Sequence, residues 1–213
     1  MYELRDFPNL RHLRAFSLTA RHKSVHKAAS AVFLSQPAVT QAIIKLEAEF
    51  GQTFFERSPN GMICTDVGNI FLARIDRAFA ELRRACDLPA DRQAEPDEGR
   101  DPTRLISTAQ LRAIVAIANH GNFTLAARAL DMSRPTIQRT ARALENALNY
   151  KLFLRSSRGI RLTAAGERFA RGAKLAAREI DLAREEIDQH WGQKVGRMVV
   201  GSLPLSRVDL LPQ

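Results

Sequence analysis

Two polar runs in this chain hold residue types that suit the edges of base pairs. The first is Gln36, Thr40, Gln41 and Lys45; the second is Arg134, Gln138, Arg139 and Arg142. Glutamine can pair bidentately with adenine and arginine with guanine, while threonine can meet a thymine methyl or a phosphate. Interleaved with the first run, Val39, Ile43, Leu46 and Phe50 step by 4, 3 and 4; Ile137, Ala141, Leu144 and Leu148 do the same in the second. That spacing puts the apolar residues on one helix face and the polar run largely on the other. A merely solvated helix has the same pattern, so the neighbouring elements must decide between the two readings.

Those neighbours repeat. Asn9 to about His22 and Val25 to Val32 are predicted helices, and a third starts behind Ser35 and runs to about Phe50. Ser35 is a suitable N-cap, and Pro37 falls in the first turn, where a missing N–H costs little. The second set is Ala109–Asn119, Phe123–Leu130 and Arg134–Leu148, with Ser133 as cap and Pro135 after it. A short helix, a tight turn and a helix with a polar outer face form a helix-turn-helix. Ala38 and Thr136 occupy equivalent places in the two first turns. Behind each third helix, two short apolar runs flank a glycine-containing turn, at Thr53–Thr65 and Lys151–Thr163. These read as β-hairpins, or wings, on which Arg57, Arg155, Arg158 and Arg161 are placed to grip phosphate or enter a minor groove.

The correspondence is ungapped. Leu13 to Gly68 aligns with Leu111 to Gly166 at a constant offset of 98, matching Arg14/Arg112, Ala28-Ala29/Ala126-Ala127, Leu46-Glu47/Leu144-Glu145, Phe55/Phe153, Gly61/Gly159 and Thr65/Thr163 among others. Two copies of one folded unit are therefore expected, copy one and copy two.

The combined motif resembles the N-terminal winged helix-turn-helix of LysR-type transcriptional regulators. In copy one the carriers are Leu13-Arg-Ala-Phe, Ala28-Ala29, Ser35-Gln-Pro-Ala-Val-Thr40, Phe54-Phe-Glu-Arg57 and Thr65-x-x-Gly68. In copy two they are Asn122-Phe-Thr-Leu-Ala-Ala127, Ser133-Arg-Pro-Thr-Ile137, Leu152-Phe-Leu-Arg155 and Arg158 to Gly166. The copies depart from the family in different places. Copy one keeps the family's Ser-Gln-Pro-Ala opening of the recognition helix, whereas copy two has Arg134 and Thr136 there and keeps the Arg158-Gly159 wing. The resemblance implies double-stranded DNA as partner, with Ser35, Gln36, Pro37, Ala38, Thr40, Gln41, Lys45, Arg57, Ser133, Arg134, Pro135, Thr136, Gln138, Arg139, Arg142, Arg155 and Arg158 at the interface.

From Ala164 to about Trp191 the chain has no proline, enough for a helix of roughly 42 Å. Phe169, Ala173, Ala176, Ile180, Ala183 and Ile187 step alternately by 4 and 3, a heptad-like seam suited to a coiled-coil contact. In the family this helix is the dimer arm, which implies a homodimer or higher homo-oligomer. A shorter stripe, Ile70, Ile75, Phe79, Leu82 and Cys86, follows copy one. Between the copies, Asp87 to Pro102 holds six acids and two arginines in a chain of net charge +9. An acidic, proline-bearing tether is repelled by DNA, so the positive charge belongs to the two repeats.

The fold class expected is mainly α, with tandem winged helix-turn-helix domains at 8–68 and 105–166. Linker helices follow at 69–86 and 167–192, the second long and coiled-coil-like, and an acidic linker occupies 87–104. Residues 196–213 resemble the first strand of the family's effector-binding domain, a stub that fits a truncated chain or gene fragment. A small-molecule inducer would then be a partner of a full-length protein only. No run of apolar residues is long enough to span a membrane, and no secretory signal opens the chain, so the cytoplasm is the expected compartment. Cys64 and Cys86 lack counterparts in the other repeat and read as reduced thiols. Paired carboxylates, nucleophile triads and ligand spacings are not found, so neither an enzyme nor a metal or other cofactor is expected. The function read from the sequence is sequence-specific transcriptional regulation, with the third helices in major grooves. The alternative is that one copy reads DNA while the other serves as a protein-interaction or pseudo-dimerisation module.

Overall fold

A computed structural model describes residues 4, 6–59, 61–87, 101–156 and 159–192 of the chain. Copy one consists of α1 (Leu10–His22), α2 (Val25–Val32), α3 (Gln36–Phe50) and an antiparallel hairpin of β1 (Phe55–Ser58) and β2 (Gly61–Cys64). The helix α4 (Asp66–Cys86) follows. Copy two repeats the order with α5 (Thr108–His120), α6 (Phe123–Ala129), α7 (Arg134–Leu148), β3 (Phe153–Ser156) and β4 (Gly159–Leu162), then α8 (Ala164–His190). The acidic tether, expected to run to residue 104, ends sooner: Pro102–Leu105 forms a 3-10 turn, capped by the Asp101 carboxylate accepting from the Thr103 N–H at 3.0 Å. The remaining tether, residue 158 and the expected effector-domain stub lie outside the described residues.

Many of the identities between the copies fall on caps and buried contacts. The Ser35 hydroxyl accepts from the Ala38 N–H, and the Ser133 hydroxyl from the Thr136 N–H, both at 3.3 Å. The Thr65 and Thr163 hydroxyls cap α4 and α8 at 3.0 Å and donate back to the carbonyls of Thr53 and Lys151 at 2.9 Å. Glu47 and Glu145 each turn a carboxylate oxygen to the start of the wing, accepting from the Phe54 and Leu152 N–H groups at 2.8 Å. Both backbone groups belong to fully buried residues, so the two carboxylates satisfy donors that water does not reach.

The cores of the copies differ in bulk. Copy one is aromatic: Phe16, Phe54 and Phe71 meet with ring centroids 4.4–5.3 Å apart, and Phe50 joins them. The helix-turn-helix of copy two closes around smaller residues, Ala113, Ala116, Ile117, Ala126, Ala127, Ile137 and Ala141. The larger core is continuous from copy one through α4 and α8 into Leu111, Leu144, Leu152 and Phe169 of copy two.

The two linker helices account for that continuity. α4 and α8 pack antiparallel: Arg74 reaches Glu179 at 2.8 Å and also binds Glu186, while the far end of α4 lies against Gly172. An added Cβ on Gly172 would come within 2.4 Å of the Ala85 Cβ, so the helices touch where glycine meets alanine. This corrects the expectation for the seam. Phe169, Ala173, Ala176, Ile180, Ala183 and Ile187, predicted to join a second chain, are all buried within this one. The physical reason is that a tethered partner acts at an effective concentration of roughly millimolar, well above what a separate chain reaches in dilute solution.

The contacts between the copies come in equivalent pairs, the signature of an approximate two-fold axis. At the axis, the Leu10 N–H donates to the Thr108 hydroxyl at 2.9 Å, and these residues are themselves 98 apart, the repeat offset. Arg74 meets Glu179, and their equivalents Gly172 and Glu81 also meet. Arg14 donates to the Thr103 carbonyl, just before copy two, and its equivalent Arg112 donates to the Phe7 carbonyl, just before copy one, each at 2.9 Å. The end of α4 receives the Tyr150 hydroxyl on the Cys86 carbonyl. At the end of α8, the Trp191 indole N–H donates to Gln52, the residue equivalent to Tyr150. One chain thus builds a pseudo-dimer.

Candidate nucleic-acid interface

Each recognition helix is held at its start by a turn that the backbone itself closes. After α2 the chain passes through Phe33 at φ 55°, with the Leu34 N–H donating to the Ala29 carbonyl at 3.0 Å. After α6 it passes through Asp131 at φ 52°, with the Met132 N–H donating to the Ala127 carbonyl at 2.9 Å. The small pairs Ala28-Ala29 and Ala126-Ala127 are buried and let α2 and α6 lie close to the first helix of each copy. Val39, Ile43 and Leu46 face the core of copy one; Ile137, Ala141, Leu144 and Leu148 face that of copy two. The polar runs are left on the outside.

In copy one, Ser35, Gln36, Pro37, Thr40, Gln41 and Lys45 are exposed, and Ala38 is half-buried. In copy two, Ser133, Arg134, Pro135, Arg139 and Arg142 are exposed, while Thr136 and Gln138 are half-buried. Several hydroxyls in these runs already have local partners. Ser35 and Ser133 cap their helices, Thr40 donates to the Gln36 carbonyl at 3.1 Å, and Thr136 shares a 2.7 Å hydrogen bond with Ser133. The serines therefore fix where the helix starts, and the amides and cations beyond them remain available.

The wing is docked against the end of the first helix. The Met62 N–H donates to the Lys23 carbonyl at 3.0 Å, and the Ile160 N–H to the Gly121 carbonyl at 3.1 Å. This close approach demands glycine at the start of the returning strand. A Cβ on Gly61, at φ 105°, would stand 2.2 Å from the Lys23 carbonyl oxygen, and one on Gly159 would stand 2.9 Å from that of Gly121.

Between wing and recognition helix each copy has a groove. Gln36, Thr40 and Gln41 line that of copy one together with Arg57 from the wing, which is exposed. Arg134, Gln138 and Arg142 line that of copy two, with Lys151 at the base of its wing. The structure thus brings Gln36, Thr40, Gln41 and Arg57 together in one groove and Arg134, Gln138 and Arg142 in the other, while Arg139 is exposed but outside that groove's lining. Lys45 lies outside the copy-one groove, one turn further along; burial lowers the pKa of His12, and the Lys45 charge lowers it further. Arg155 stands opposite Ile160 in its hairpin, the register place that Arg57 takes opposite Met62. Arg158 lies outside the described residues.

Sequence reasoning missed Lys23 and Ser24 in the copy-one groove and Asn122, Thr124 and Lys151 in the other. Ser24 and Asn122 carry a legible signal, since both are N-caps, accepting from Lys27 and Thr124. Both grooves carry an excess of positive charge: Lys23 and Arg57 in copy one, and Arg134, Arg142 and Lys151 against Glu145 in copy two. Among the described residues no cluster of His, Cys, Asp or Glu could hold a metal ion, and no helix is long and apolar enough to cross a membrane.

Comparison with known proteins agrees with the duplication. The family described as bacterial regulatory helix-turn-helix protein, lysR family, matches residues 10–69 and again residues 108–167. The HTH-type transcriptional regulator GalR of Pseudomonas putida is 33% identical over 207 residues, which is 97% of this chain and 51% of that protein. A probable hydrogen peroxide-inducible genes activator of Streptomyces viridosporus is 37% identical over 53% of this chain and 36% of its own length. The chain therefore spans about half the length of the first relative and about a third of the second. The crystal structure of the CbnR DNA-binding domain in complex with DNA is 41% identical over 39% of this chain and 92% of its own, with a TM-score of 0.33. With more than half of its length in the two matched segments, the chain belongs to the lysR family of bacterial regulatory helix-turn-helix proteins.

Proposed function

We propose that this chain is a sequence-specific DNA-binding regulator in which both recognition helices, α3 and α7, enter major grooves of one duplex. The wings and the first-helix ends hold the flanking phosphates. The α4–α8 pair supplies, inside one chain, the contact that two separate chains would otherwise make. The observation that carries this reading is the set of equivalent contacts about the pseudo-dyad, which leaves a groove with a polar reading face open on both copies. The family membership and the net charge of +9 support DNA as the partner.

The reading requires affinity to fall with salt, with a log–log slope of about −0.9 for each phosphate neutralised. It also requires both copies to contribute. Binding of the 213-residue chain to operator DNA tests this, with Gln36 and Gln41 replaced by alanine in one variant and Arg139 and Arg142 in another. Loss of affinity in both variants is expected. Unchanged affinity in either would reduce that copy to a packing module.

A further inference from the structure

The axis relating the two copies is a symmetry of backbone and not of reading chemistry. Ser35 and Ser133 cap the recognition helices alike, and Pro37 and Pro135 take the same place behind them. Outward-facing positions, by contrast, differ at every equivalent pair along the face: Gln36 against Arg134, Thr40 against Gln138, Gln41 against Arg139, Ile44 against Arg142 and Lys45 against Ala143. At all of these except Gln138 the residues are exposed in both copies, so packing does not dictate the difference. In a reader assembled from two identical chains, the two recognition helices are the same by necessity, and the site mirrors that two-fold symmetry. Here both helices come from one chain, and the necessity is gone.

We infer that the DNA site consists of two unlike half-sites in a fixed order: an A·T-bearing half under α3 and a guanine-bearing half under α7. This rests on both helices reading DNA, as proposed above. Gln36 and Gln41 offer the paired donor and acceptor that match adenine N6 and N7. Thr40 turns its hydroxyl back to the Gln36 carbonyl, which leaves its methyl as the group to meet a thymine methyl. Arg134, Arg139 and Arg142 offer guanidinium forks, whose best base partner is the O6/N7 edge of guanine. Copy-one reading positions hold a single cation, Lys45, and those of copy two hold three. The order of the halves is set because the α4–α8 pairing fixes each reader relative to the other.

Selection of bound sequences from random DNA by the 213-residue chain, followed by binding to designed duplexes, tests this. The selected site should be non-palindromic, with unlike halves in one order. Palindromes built by repeating either half should bind roughly tenfold more weakly or worse, since each mismatched base pair costs about that factor. In the Arg139→Ala/Arg142→Ala variant, preference should flatten in the guanine half alone. A palindromic consensus, or a palindrome bound as tightly as the selected site, would overturn the inference and leave the two-reader function standing. Equal weakening of that variant on every sequence would also overturn it, by making the arginines phosphate contacts. A consensus with only one half, or no preference at all, would instead bring down the two-reader function itself.

Discussion

Glu47 and Glu145 show how a residue that looks like a surface charge becomes part of the frame of the interface. Each carboxylate closes the gap between a recognition helix and its wing, accepting from a backbone N–H that is otherwise buried. Glu47→Ala is expected to cost about 1–3 kcal/mol in denaturant unfolding, the penalty of an unsatisfied buried donor. Arg57 is placed differently, exposed on the wing and lining the copy-one groove with the recognition helix, and is proposed as a phosphate contact. Arg57→Ala should weaken binding evenly across DNA sequences and reduce the salt slope by about 1. Fluorescence anisotropy at several salt concentrations measures both. The exposed polar runs of α3 and α7 were legible in the sequence because helix periodicity separates them from the buried stripe. The cross-copy arginines Arg14 and Arg112 were legible only as a match between repeats. Their partners are backbone carbonyls of Thr103 and Phe7, and nothing in residue type marks a carbonyl as an acceptor across a pseudo-dyad.

At the scale of elements, the α4–α8 pair carries the architecture. A heptad-like stripe tells what a helix buries; it does not tell which chain supplies the other face. That is why the seam of α8 was legible and its partner was not. The shorter stripe on α4 is the complement, and the Gly172–Ala85 contact lets the two helices close. Arg74 sits beneath this surface with little exposure, bridging Glu179 and Glu186. Arg74→Ala should destabilise the pairing by about 1–3 kcal/mol, less than for a fully buried pair, because Glu186 remains 40% exposed and water screens it. The Arg74 guanidinium holds the Glu186 carboxyl below its ordinary range, chiefly through the hydrogen bond between them. A depressed carboxylate contributes its stability above the unfolded value, about 4.3 for glutamate, and loses it as pH falls through the lower folded value. The contribution of this ion pair to stability should therefore fade below about pH 4, and Glu186→Gln should flatten that part of the stability profile.

At the scale of the whole molecule, the two copies pack on each other within one chain through α4 and α8. Both α4 and α8 cross to the other copy, as Tyr150 on Cys86 and Trp191 on Gln52 show. Under the proposed function the two outward faces, freed from the identity that two equal chains impose, hold different residues while their serine caps are alike. The most direct test of this account is the mass of the complex that the 213-residue chain forms on a single operator duplex, by native mass spectrometry or sedimentation velocity with a footprint in parallel. The account predicts one chain per duplex with both half-sites protected. Two chains per duplex, each protecting one half-site, would contradict it.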